Sequence, residues 1–85
     1  MQEDKKKIIQ IAVAKATKRL RANKSQYLLG AEYDISTSLL SNLERGLKDP
    51  QLSTIFNLAN AFDMTASKFI SEIEKELPTD FSVDD

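Results

Sequence analysis

The sequence predicts an all-α fold, a bundle of five helices. Apolar residues recur at helical spacing along most of the chain, Ser or Thr stands before three of the apolar runs in the manner of an N-cap, and no strand-like alternation competes. With 85 residues, 41% of them hydrophobic, two Gly and two Pro, the chain fits one small domain whose single core is adequate rather than generous.

The first helix is expected from Asp4 to Ala22, with Ile9, Val13, Ala16 and Leu20 on one face, Lys and Arg on the others, and Asn23 as its stop. Ser25 is placed to cap a short second helix, Gln26 to Tyr33, with Leu29 and Tyr33 on its inner side. Gly30 in its middle costs about 1 kcal/mol relative to Ala, so either another helix packs very close or the helix is weak. Asp34 and Ile35 form a turn. Ser36 then caps a third helix with Leu40 and Leu43 inward, and Gly46 ends it in a left-handed conformation. Asp49 and Pro50 read as N-cap and first residue of a fourth helix, whose broad apolar face (Leu52, Ile55, Phe56, Leu58, Ala59, Phe62) should be central to the core. Thr65 caps a fifth helix carrying the stripe Phe69, Ile70, Ile73 and Leu77 until Pro78 stops the pattern. The domain is therefore assigned to residues 1–77, with the helix-turn-helix proper at 25–46 and a flexible acidic tail at 78–85.

Composition narrows the function. Without Cys or His there is no thiolate or imidazole metal site and no nucleophile–base pair that depends on those side chains. An enzyme would need chemistry from Asp, Glu, Lys, Ser, Thr or Tyr alone, and no such constellation stands out; no catalytic residue, metal or cofactor is assigned. No apolar run reaches the length of a membrane span, and MQEDKKK lacks the apolar core of a secretory signal, so a cytoplasmic protein is expected. The net charge of -1 conceals an uneven distribution. Residues 1–24 hold eight basic residues against Glu3 and Asp4, residues 25–62 hold two against four acids, and residues 63–85 hold Lys68 and Lys75 against seven acids. Such a dipole can present one face to phosphates while the whole stays near neutral.

Two short helices joined by a tight turn suit a DNA reader, although many small bundles contain such a corner. The residues carry a more specific signal. Ser25-Gln26, the Ile35-Ser36 turn, Leu40, Leu43-Glu44-Arg45-Gly46, Asp49-Pro50 and Leu58-Ala59 followed by Thr65 fall without a gap in residues 25–64, about half the chain. This stretch resembles the helix-turn-helix of the phage repressor/Cro type, the XRE family, and the resemblance implies the lambda repressor-like five-helix fold. Gly30 stands where that family usually has Ala, and Asp34 where it usually has Gly; Asp is among the few residues tolerated in a left-handed turn. Tyr27 and Leu28 occupy positions that are usually polar, which fits a phosphate-contacting hydroxyl, a protein-contact patch, or tolerated apolar surface.

The resemblance implies site residues. The outward positions of the third helix, Thr37 and Ser38 with Asn42 one turn later, flanked by Leu39 and Ser41, fall on base-contact positions. Asn can bond adenine in a bidentate way, hydroxyls suit several bases, and an aliphatic side chain can pack on a thymine methyl. Phosphate contacts are expected from Gln26, Arg45, Lys48 and, less directly, Lys24. The Lys5-Lys6-Lys7 run reads as an arm on DNA or a solvated first helical turn. Glu44 should pair structurally with an Arg of the first helix: ungapped counting gives Arg19, whereas matching the Leu-Arg dipeptide and the apolar spacing gives Arg21 and keeps Leu20 in the core. A dimer through Phe69, Ile70, Ile73 and Leu77 is expected, because that stripe is wider than a terminal helix needs. The expected function is a dimeric, sequence-specific regulator, a repressor or autoregulator, bound to an inverted-repeat operator in double-stranded DNA. The alternative is an antitoxin-like or adaptor module whose main partner is a protein.

Overall fold

The computed structural model describes residues 3–83, so Met1, Gln2 and the tail residues Asp84 and Asp85 lie outside it. Five helices follow one another, α1 (Glu3–Arg21), α2 (Gln26–Tyr33), α3 (Thr37–Glu44), α4 (Leu52–Ala61) and α5 (Ala66–Glu74), with no strand among the described residues. Each of α1 and α4 meets α5, α1 also packs on α3, and α2 packs on α3 and α4.

Three caps hold the helix starts. The Ser25 hydroxyl accepts from Leu28 N–H (3.1 Å), Ser36 from Leu39 N–H (2.9 Å) and Thr65 from Lys68 N–H (3.1 Å). The first helix stops one residue before Asn23 was expected to act: Ala22 takes the left-handed conformation (φ 53), and Lys24 N–H donates to the Arg21 carbonyl. The start of α4 also differs. Asp49 and Pro50 lie in the linker, and Gln51 occupies the N-cap position without a side-chain hydrogen bond. Helix α5 ends at Glu74, and a turn closed by Glu76 N–H on the Ile73 carbonyl carries the chain on to Pro78.

The core is assembled from every helix: Ala12, Val13 and Ala16 of α1, Leu29 of α2, Leu40 and Leu43 of α3, Ile55, Leu58 and Ala59 of α4, and Phe69 and Ile73 of α5. Phe69 is fully buried, its ring 5.8 Å from that of Phe62 in a tilted arrangement. Two α4 residues expected in this core are outside it. Leu52 is 71% and Phe56 59% exposed. They sit one turn apart at the edge of the apolar face, beyond the reach of the neighbouring helices, while Ile55, Leu58 and Ala59 take the buried positions.

Gly30 has a different cause from either expectation. The turn itself folds back on it: Ile35 N–H donates to the Gly30 carbonyl (2.9 Å), and a Cβ at Gly30 would lie 2.3 Å from the Ile35 carbonyl oxygen. The reversal depends on Asp34, which holds φ 55 and ψ 46.

Candidate nucleic-acid interface

Helix α3 is amphipathic in the sense needed for a reading head. Leu40 and Leu43 are fully buried and Glu44 nearly so, which turns Thr37, Ser38, Ser41 and Asn42 outward. Thr37 and Ser38 are exposed, Ser41 and Asn42 half-buried, and none of these four side chains is hydrogen-bonded to another described residue. Leu39 is partly covered by the core, so less of it is presented than the outward position suggests. Arg45, directly after α3, continues the same outward arc and is exposed, as is Lys48 in the following linker.

Beneath the head lies an ionic network. Arg21 reaches Glu44 through two parallel bonds, Nε to Oε2 at 2.7 Å and Nη2 to Oε1 at 2.6 Å, and its Nη1 donates to the Lys24 carbonyl at 2.7 Å. The Glu44 side chain is 2% exposed and that of Arg21 19%. Burial pushes the Glu44 carboxyl up, but the hydrogen bonds from Arg21 and Gln26 and the nearby charges of Arg21 and Lys18 outweigh it and leave the pKa below its ordinary value. Arg19 is engaged elsewhere, with Glu72 and Glu76, both at 2.8 Å. Glu72 collects three cations, Arg19, Lys75 and Lys68, and the bonds from Lys75 and Arg19 chiefly hold its pKa down at about 2.

Two residues expected to contact phosphate have partners within the protein. The Gln26 amide donates to Glu44 Oε1 at 3.0 Å, which makes its side chain part of the network under the head with one amide hydrogen left to donate. Lys24 is paired with Glu32 at 2.7 Å, and that bond raises its pKa. The lysine run is not an extended arm: Lys5 to Lys7 lie within α1, and Lys7 Nζ donates to the Gly46 carbonyl at 2.6 Å, against the negative end of α3.

The expected dimer stripe divides in the same way. Phe69 (0% exposed) and Ile73 (5%) are core residues and Leu77 packs against the core, which leaves Ile70, 41% exposed, as the member free to meet another molecule. What spacing alone could not reveal is that Leu52 and Phe56 of α4 also stay exposed, because periodicity marks an apolar face without saying how much of it the fold covers. Tyr27 and Leu28 on α2 are also exposed, at 70% and 53%.

A capped helix, a tight turn and a second capped helix with a neutral outer face together make a helix-turn-helix DNA-binding domain of the phage repressor/Cro-like type. The sequence pattern of a helix-turn-helix family matches residues 15–69, well over half of the chain, and the protein belongs to this XRE-type family of DNA-binding transcription regulators. No curated protein and no solved structure matches it. No helix of the described residues is long and apolar enough to cross a membrane.

Proposed function

We propose that the protein is a sequence-specific repressor or autoregulator without enzymatic activity, acting in the cytoplasm as a homodimer on an inverted repeat. The observation that carries this reading is the outer face of α3, where Thr37, Ser38, Ser41 and Asn42 point outward with their hydrogen-bonding groups unengaged by described residues. In the major groove these side chains read base edges, with Asn42 suited to adenine and Leu39 to a thymine methyl. The face lacks the Arg-to-guanine contact, so readout leans to A·T and affinity depends strongly on phosphates, reached by Arg45 and Lys48. Ile70, with Leu52 and Phe56, supports the dimer, since two heads are needed for a useful specificity ratio. Half-site centres are then expected about 10 base pairs apart.

Selection from random duplexes tests the reading: an enriched inverted repeat is expected, and Asn42→Ala should weaken binding to it by about 1–3 kcal/mol while leaving unrelated DNA nearly unaffected. Selection that enriches no motif refutes direct readout. The second reading, an antitoxin-like or adaptor module, is favoured by exposed Tyr27 and Leu28. It would hold if Tyr27→Ser with Leu28→Ser left DNA binding intact and abolished a stable protein complex formed by the wild type.

A further inference from the structure

Many of the cations are already engaged, Lys7 by the Gly46 carbonyl and five others by carboxylates. Arg19, Arg21, Lys24, Lys68 and Lys75 are ion-paired with Glu72, Glu76, Glu44 or Glu32. Lys6, Lys15, Lys18, Arg45 and Lys48 are exposed and make no hydrogen bond or ion pair with any described residue. Three of these five line one feature, a cleft of about 210 Å³ between α1 and the end of α3, with Ile11 and Ala14 beside Lys15 and Lys18 on one side and Glu44, Arg45 and Gly46 on the other. Its only carboxylate, Glu44, is consumed by Arg21 and Gln26.

We propose that this cleft is a second binding surface for the DNA phosphate backbone, walled by Lys15, Lys18 and Arg45. It rests on the regulatory reading above and extends it to a helix not assigned any DNA contact. The placement argues for DNA rather than an acidic protein. Helical spacing puts Arg45 on the same outward arc as Thr37, Ser38, Ser41 and Asn42, so the reading face of α3 runs directly into the cleft and a strand leaving the major groove meets Lys15 and Lys18 next. Lys18 lines the cleft on the side of α1 that faces the end of α3, and its charge is felt at Glu44. The bond from Lys7 to the Gly46 carbonyl holds the two walls together, and Lys7, Ile11 and Ala14 all precede the segment matched by the family, so the cleft is partly built by the first turns of α1.

The test is a salt titration of the full chain on its selected duplex and on a scrambled one. In the Lys15→Gln, Lys18→Gln variant the slope of log K against log salt should become shallower by about two for each bound head, so by about four on a duplex that engages both heads of a dimer, with affinity for both duplexes reduced at least about tenfold at low salt. Lys15→Arg, Lys18→Arg should restore both. Because both lysines are exposed, an unchanged thermal midpoint is expected, and the Arg variant guards against a folding artefact. A wild-type slope in the Gln variant overturns the proposal even if an acidic peptide binds the cleft. A wild type that binds no duplex at any salt instead refutes the regulatory reading, and this one with it.

Discussion

Glu44→Ala should be among the most damaging single changes in this chain, although Glu44 is a charged residue under a surface helix. Its carboxylate is 2% exposed and takes three hydrogen bonds, two from Arg21 and one from Gln26. Removing one partner of a sealed ion pair costs ~3–5 kcal/mol, because the other charge stays buried without compensation. Arg21 retains 19% of its side-chain surface and a bond to the Lys24 carbonyl, so some solvent screening remains, and about 2–4 kcal/mol is the appropriate expectation. For a domain of this size that corresponds to a fall in Tm of roughly 10–30 °C. Thermal and urea denaturation of the four members of a double-mutant cycle supply the assay. Glu44 and Arg21 should couple by about 2 kcal/mol, whereas Glu44 and Arg19 should be additive to within ~0.5 kcal/mol, since Arg19 bonds to Glu72 and Glu76. The network also has a pH signature. The folded pKa of Glu44 lies below its ordinary value of 4.5, so its contribution is present above that value and is lost as pH falls through the folded pKa; Glu44→Gln should flatten that limb. A cost under ~1 kcal/mol, or coupling to Arg19 instead of Arg21, would refute the reasoning.

Three other expectations follow from the packing. Gly30→Ala gains about 1 kcal/mol of helix propensity, but its Cβ meets the Ile35 carbonyl at 2.3 Å, and displacing that backbone should leave a net loss of about 1–3 kcal/mol by urea denaturation; a stabilised variant would show that the turn yields freely. Glu72 has a pKa of about 2, so its pairing with Lys75, Arg19 and Lys68 should support the fold above the ordinary carboxylate range and fade as pH falls towards 2; a Glu72→Gln variant whose acid unfolding matches the wild type would contradict this. On α5, Phe69→Ala should cost about 3–5 kcal/mol of stability, whereas Ile70→Asp should leave the monomer folded and lower the mass found by sedimentation equilibrium. A monomeric wild type, or a dimer untouched by both Ile70→Asp and Phe56→Asp, would end the case for this interface.

Local chemistry made much of the fold legible. Ser25, Ser36 and Thr65 each stand three residues before the N–H they accept, a relation written entirely in the sequence, and Leu40, Leu43, Leu58 and Phe69 follow a spacing that leaves one inward face. Where the reading fell short, the cause was tertiary. Asp49-Pro50 is a good helix start in isolation, yet the linker after α3 runs on to Gln51. The width of an apolar stripe does not reveal which part of it neighbouring helices cover, so Leu52 and Phe56 were expected inside and Phe69 and Ile73 at a dimer interface. The bond from Gln26 to Glu44, 18 residues away, is likewise invisible along the chain.

The same distinction governs the charge. Counting along the chain assigns the positive end to residues 1–24 as a block, but the fold divides that block. Arg19, Arg21 and Lys24 turn to carboxylates, Lys7 turns to a helix end, Lys6 stays unpaired in the first turns of α1, and Lys15 and Lys18 stay unpaired in the cleft they share with Arg45, with Lys48 unpaired in the linker that follows. Only cations without a carboxylate can exchange their counterions for phosphates at little internal cost. The salt dependence of DNA binding should therefore follow the unpaired cations flanking α3 and not the total of 12 Lys and Arg in the sequence. Four such residues give a slope of roughly -3.6 for one head and about twice that for a dimer with both heads engaged. A much steeper slope would mean that the ion pairs around Glu72 and Glu44 open on DNA, and Glu44→Gln would then steepen it no further.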